Sequence, residues 1–393
     1  MESMKDKVAI IGMGRTEAGE LWNNSMEDLL VDACEEAIKD AGIDRRDIQA
    51  GFLGCYLSLV SGLLLNRALK FDWIPTTRIE NACATGGDTF RTACAFVASG
   101  MYDMVIAAGV DKQKDSGATG QQDHGGIGTN IGIPSPPPAP VGAVAAMRYA
   151  HHYGMTMEEL KRILGRIAIK NHHNGSLTPQ AQYRKDITFE QYLNAPMMAY
   201  PLGLLDCCGV ADGAAAAIIT RPEIAKHITD NYVVLKGLGA STGGSQAQLQ
   251  QQGDFVHWEE NILASRVAYG MAGVKDPMKD ICHAEVHDAF TIVELISLED
   301  VGLAPRGRGG ELVLGGFYDL EGQVPVNTDG GLKCNGHPIG ATGLIQIYEC
   351  FRQMQGKAGP RQVKNPTLSM AHNQGGSAGG GVHCTVALLS PRD

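Results

Sequence analysis

The chain has no excess of positive charge, no long hydrophobic run and no Cys-x-x-Cys pair, and each absence removes a class of function. Its 43 acidic residues outnumber 33 basic ones for a net charge of −10, and no Lys/Arg-rich tail is present. Those features argue against a nucleic-acid binder. No apolar run reaches the roughly 18 to 20 residues of a membrane-spanning helix. The ten cysteines are scattered, mostly inside apolar segments, which argues for free thiols in a reducing compartment and against a disulfide frame or a zinc site. Residues 1–7 run straight into a strand without a signal-peptide core, so a cytoplasmic location is expected. Gly12-Met13-Gly14 lacks the third glycine and the downstream acid of a dinucleotide fingerprint.

What the chain does have is 393 residues, enough for two packed units, and 50 glycines clustered beside strand-like segments. Apolar runs predict strands at 7–12, 51–56, 77–82 and 104–109, the third of them buried, and an amphipathic helix over 26–41. This alternation points to an α/β fold around a buried sheet. From about 111 to 205 the character changes. Residues 117–132 are glycine-rich, the proline run at 134–140 is expected to be irregular, and helices are expected at 143–152 and 157–171. This region reads as an insertion folded over the first unit. Asp212-Gly213 is expected to turn into a strand at 215–220, and His151-His152 and His172-His173 are expected on helix surfaces. Strands at 232–237, 283–286, 367–371 and 382–389, with helices at 262–271 and 290–301, then repeat the order of the first half.

One stretch organises the chemistry: Ile79-Glu80-Asn81-Ala82-Cys83-Ala84-Thr85-Gly86-Gly87. A β-branched segment precedes it, and Phe90, Cys94 and Val97 follow at helical spacing. Cys83 is therefore expected among the first residues of a helix, where unpaired N–H groups and the macrodipole favour a thiolate. On this stretch alone a small core cysteine remains an equal reading. Two further junctions resemble it. Glu285-Val286-His287-Asp288-Ala289-Phe290 ends a strand before a helix, and Cys334-Asn335-Gly336-His337-Pro338 places His337 directly before a proline suited to the first helical position. Strand ends in such sheets converge on one crevice, and a thiol beside imidazoles is an arrangement for nucleophilic catalysis.

Taken together, Asn81-Ala82-Cys83-Ala84-Thr85-Gly86-Gly87, His287-Asp288-Ala289-Phe290, Gly336-His337-Pro338-Ile339-Gly340-Ala341-Thr342-Gly343 and His372-Asn373-Gln374-Gly375-Gly376 resemble the motifs of thiolases. The sterol-carrier-protein-X and archaeal branch fits best, because His287-Asp288 stands where other thiolases carry Asn-Glu. The resemblance implies a duplicated α-β-α-β-α fold with halves 1–225 and 226–393 and a loop insertion at about 112–205. It implies that Cys83 is acylated, that His337 activates it, and that His287 helps form the oxyanion hole. Coenzyme A enters as co-substrate, with no permanently bound cofactor or metal, and Gly336 and Gly376 are expected to approach it.

The family's second acid/base is missing from both usual places. The C-terminal Cys-x-Gly position holds His372-Asn373, and the cysteine common in the sterol-carrier branch is Ala289. Cys334, Glu285 and His372 are the candidates to replace it, in that order. The implied reaction is cleavage of a 3-oxoacyl-CoA, with a bulky, branched or aromatic acyl group of the kind met in aromatic-compound degradation. A homodimeric core and a small zinc-ribbon/OB-fold partner protein are also implied. A biosynthetic acyltransferase or condensing enzyme, and a silent acyl-CoA-binding subunit, are the alternatives.

Overall fold

Apolar and alanine-rich strands build a nine-stranded mixed sheet in the computed structural model, which describes residues 3–57, 60–116, 138–243, 254–377 and 381–392. In chain order the strands are β1 (Ala9–Arg15), β2 (Ala50–Gly54), β3 (Thr76–Ile79), β4 (Met104–Lys112), β5 (Met197–Ala199), β6 (Leu202–Gly203), β7 (Asp212–Thr220), β8 (Val233–Gly243), β9 (His283–Val286), β10 (Ser369–Ser377) and β11 (Gly381–Pro391). The large sheet runs β3-β2-β4-β7-β1-β8-β11-β10-β9, and β5-β6 form a separate hairpin. The seam is the short antiparallel pairing of Ala9 with Val234 and Ile10 with Val233. Outward from it, β1-β7-β4-β2 pair antiparallel, antiparallel, parallel. On the other side β8-β11-β10-β9 repeat that sequence. The similar order of elements in the two halves is thus a repeated topology, with β3 added at one edge.

Alternation along the strands assigns each face its own core. Ile10, Phe52, Val105 and Ala217 point to a central layer, where they meet Phe90, Cys94, Leu344 and Phe351. Ile11, Leu53, Ile106 and Ile218 point the other way, onto Leu29, Leu30 and Ala37 of the Met26–Ala41 helix. The central layer consists of the Thr85–Ala98 and Ile339–Met354 helices, each packed on strands of both halves. They approach so closely that a Cβ added to Gly86 would lie 2.6 Å from Gly343 N, and one on Gly343 would be closer still to Gly87 N. Bare glycine backbones let the two helix N-termini, with Cys83 ahead of one and His337 ahead of the other, come together.

Several expectations are corrected here. β3 is a partly exposed edge strand, with β2 on one side and no strand among the described residues paired to the other. Within the proline run, Pro138 and Pro140 lie in the first turn of the Pro138–His152 helix, where a missing N–H costs little; residues 117–137 lie outside the described residues. β4 and β7 pair directly from Met104–Thr220 to Lys112–Asp212, so residues 113–211 are one excursion from the sheet. The excursion shares its apolar core with the second half, where Leu160, Ile163, Leu164 and Ile167 meet Val286, Leu295 and Leu298, and it touches the first half through polar contacts, Ala18 N–H donating to Gln180 O (3.0 Å) and Lys114 pairing with Glu20 (2.8 Å). Asp212 is no turn residue but the buried first residue of β7, accepting from Lys112 Nζ, Lys114 N and Leu21 N. His172 is buried, its ring against Lys185 O and Lys333 Nζ.

Candidate active site

The chain leaves β3 through a tight turn before the Thr85–Ala98 helix. Asn81 N–H donates to Thr85 Oγ1 (2.9 Å), and the Thr85 hydroxyl donates to Ala82 O (2.6 Å). These bonds hold Ala82 at φ 49°, a left-handed conformation that costs a non-glycine residue about 1–3 kcal/mol. Cys83 follows, half-buried and two residues ahead of the first helical residue, so it stands before the first turn and not in it. Across the crevice a Cβ on Gly375 would lie 2.5 Å from Cys83 N, so β10 lies directly against this turn.

One side chain of β10 ties the crevice together. Asn373 Oδ1 accepts from Gly87 N–H (3.1 Å), which places its amide nitrogen on the opposite side. There Nδ2 donates to Cys83 O (3.1 Å) and lies 3.3 Å from His287 Nδ1. Because Nδ2 is a donor, His287 Nδ1 accepts and the ring proton resides on Nε2. His337 has the complementary tautomer. The Thr342 hydroxyl donates to Pro338 O (3.0 Å), so His337 Nδ1, 2.6 Å from Thr342 Oγ1, is the donor of that pair. His337 Nε2 is left with a lone pair and has no hydrogen-bond partner among the described residues. The rings of His287 and His337 meet edge to face, with centroids 5.5 Å apart at 81°. The half-buried Cys83 turn, an imidazole N–H donor and an imidazole acceptor are therefore held together by one asparagine and one ring contact.

Asp288 joins the two histidine segments. Its buried carboxylate accepts from Leu332 N–H (2.6 Å) and Lys333 N–H (3.2 Å) at the start of the short Gly331–Asn335 helix, and from Asn171 Nδ2 (2.8 Å). This caps a helix distant in sequence and fixes the path into Gly336 and His337. Gly336 has φ 86°, and a Cβ there would lie 2.5 Å from Gln182 Oε1 and 2.6 Å from Ala211 Cβ. It is a buried hinge ahead of His337, whereas Gly376 is exposed at the end of β10.

The other predicted residues are placed differently. His372 lies directly behind His287, its Nδ1 accepting the His287 backbone N–H (3.3 Å), and is fully buried. Cys334 is also fully buried, its side chain packed on the backbone of Gly175 and Gly330, and burial pushes its thiol up to about 12. Glu285 belongs to a separate buried cluster, accepting from Thr328 N–H (2.9 Å) beside His283. Burial, then Asp329 and Glu349, hold its carboxyl well above the usual range. Asn373 appeared in the sequence only as a motif letter, and Thr342 only as part of a glycine-rich run.

Burial holds His337 and His372 down to about 3 and His287 well below its ordinary value, the last also through the two neighbouring rings. All three are neutral at pH 7. Their folded values lie below that of an exposed histidine, about 6.5. Their contribution to stability is therefore fully present above pH 6.5 and is lost as pH falls toward 3, because the unfolded chain takes up protons first. In a histidine-labelled sample, the ring Cε1–H resonances of these three residues are expected not to titrate between pH 8 and 5.5. A midpoint near 6.5 for His337 would show that the base is not shielded as described.

Among the described residues no group of His, Cys, Asp or Glu is placed to hold a metal ion, and no helix is long and apolar enough to cross a membrane. Comparison with known proteins gives two family matches. Residues 8–223 match "Thiolase, N-terminal domain" and residues 241–388 match "Thiolase C-terminal domain-like". The chain is 37% identical over 391 residues to an acetyl-CoA acetyltransferase of Methanothermobacter thermautotrophicus, covering 96% of this chain and 98% of the relative. It is 29% identical over 390 residues to benzoylsuccinyl-CoA thiolase subunit BbsB of Thauera aromatica, covering 95% and 96%. Among solved structures, the Ltp2-ChsH2(DUF35) aldolase superposes with a TM-score of 0.81 at 24% identity, covering 99% of each chain.

Proposed function

The chain belongs to the thiolase family of acyl-CoA acyltransferases, and from that premise we propose that Cys83 carries the acyl group in reversible cleavage of a 3-oxoacyl-CoA by coenzyme A. The observation that carries this reading is the Asn373 side chain, bonded at once to the Cys83 turn, the Thr85–Ala98 helix and the His287 ring. His337 Nε2 takes the Cys83 proton, and the sulfur attacks the keto carbon. His287 Nε2–H donates to the oxygen that becomes negative, a bond worth most at the transition state. The C2–C3 bond breaks, an acyl-CoA enolate leaves and is protonated, and coenzyme A then takes the acyl group from Cys83.

Acetyl transfer is the first reading of the acyl range, supported by the acetyl-CoA acetyltransferase relative. A bulky or aromatic 3-oxoacyl-CoA is the second, supported by the BbsB relative. Its name as a subunit, and the two-protein name of the Ltp2-ChsH2(DUF35) neighbour, also support a small partner protein. The test is intact-mass spectrometry after mixing with acetoacetyl-CoA, acetyl-CoA or benzoylsuccinyl-CoA, combined with an assay of free coenzyme A. One acyl group on Cys83, released by coenzyme A, is expected. No adduct from any of the three would make the chain a silent binder, and an adduct transferred to an acceptor other than coenzyme A would make it a condensing enzyme.

A further inference from the structure

We propose that Cys208 is the acid/base that protonates the leaving enolate, a role for which the chain has no cysteine at the two usual positions. The inference rests on the thiolase reading above and adds a residue to it. Cys208 lies between the two segments that carry the imidazoles. Its N–H donates to Ala289 O (2.9 Å), two residues beyond His287, and Cys207 bridges to Phe290. On its other side Gly209 O accepts the His337 backbone N–H (2.8 Å). The backbone of Cys208 is thereby fixed in the wall of the crevice, between the oxyanion donor and the base.

The surroundings suit a proton carrier. Cys208 is only partly covered, whereas Cys334 is fully buried against Gly175. Cys83 and Lys333 are both near enough to act electrostatically on the Cys208 thiol, in opposite senses. Burial, then Cys207, Cys83 and Asp288, keep the thiol protonated at neutral pH, as a general acid must be before the enolate forms. The buried Lys333 acts in the opposite sense and favours the thiolate that remains afterwards. Lys333 is itself held by His172 Nε2 (3.4 Å) and the Tyr183 ring (5.9 Å).

The proton balance closes over one turnover. When the C2–C3 bond breaks, its electron pair stays on C2 as the enolate, and C2 takes the proton from Cys208 Sγ–H. The Cys208 thiolate then removes the proton from coenzyme A, whose sulfur attacks the acyl carbon and releases the Cys83 thiolate, which takes its own proton back from His337. Net, one hydrogen moves from the coenzyme A thiol to C2.

The experiment follows two signals with acetyl-CoA in D2O: deuterium entering the acetyl methyl group, and acetylation of Cys83 by intact mass. For Cys208→Ala, exchange is expected to fall at least ~100-fold, the usual scale of a lost acid/base, with the Cys83 adduct still formed. Cys208→Ser keeps the volume and is expected to behave alike, so it decides the matter if the alanine variant does not fold. Cys334→Ala is expected to leave exchange within about threefold of the parent. Both Cys208 variants exchanging within about threefold of the parent would overturn the proposal, as would a parent protein that acetylates without exchanging. A parent protein that forms no adduct with acetyl-CoA, acetoacetyl-CoA or benzoylsuccinyl-CoA would overturn the thiolase reading itself, and this inference with it.

Discussion

Cys83→Ser is expected to lower the rate of acyl transfer at least ~10⁴-fold while acyl-CoA binding is kept. His337 is a buried neutral imidazole with one free lone pair, well suited to a thiol proton and poorly suited to that of a serine hydroxyl, which is a far weaker acid. Half-buried Cys83 is close in size to serine, so the turn, the Asn373 bonds and the fold remain. Single-turnover acylation by acetoacetyl-CoA and a separate equilibrium-binding measurement distinguish loss of chemistry from loss of binding. Cys282→Ser is the control. This cysteine is hydrogen-bonded to Leu368 O at the start of β9, away from the crevice, and its replacement should change the rate less than about threefold. A Cys83→Ser protein retaining even a hundredth of the parental rate would remove the nucleophile from the proposal.

The second large effect is on folding. Gly343→Ala puts a methyl group into the crossing of the two central helices, against the backbone of Gly86 and Gly87 and the Asn373 side chain. Backbone cannot rotate away as a side chain can, so the helices must separate at their N-termini. A loss of more than about 3 kcal/mol is expected, at or beyond the upper end for overpacked cores. The same substitution at Gly270 should have the opposite sign. Gly270 lies in the Glu259–Ala272 helix, and among the described residues nothing is within 4 Å of an added Cβ. Alanine there should stabilise by about 0.5–1 kcal/mol, because it restricts the unfolded chain and suits a helix. Denaturant unfolding of both variants checks the pair. Two changes of equal size would mean that the helix crossing has room to spare.

Motif by motif, much of the crevice was legible. Cys83, His287 and His337 each stand where an apolar strand-like run gives way to helical spacing or to Pro338, and the structure gathers all three at one place. The acid/base candidates were not separable in the same way. Cys334 is three residues from His337 in sequence, yet the turn at Gly336 sends its side chain toward Gly175. Glu285 shares period-two spacing with His287, but β9 ends at Val286, so the alternation does not continue to the histidine. Cys208 carried no signal beyond its position in a run before a strand, because its relation to His287 and His337 exists only through backbone pairing with segments about 80 and 130 residues away.

The sequence by itself determined which residues could be reactive and which segments would be strand or helix. Side-chain chemistry and hydrophobic period are local properties that each stretch carries wherever it goes. Only the tertiary structure decided which of those residues meet. That choice depends on glycines thin enough for two helices to touch, on one asparagine spanning 286 residues to Gly87, and on a carboxylate capping a distant helix. These are pairings between separated segments, and neither partner shows the other in its own neighbourhood of the chain.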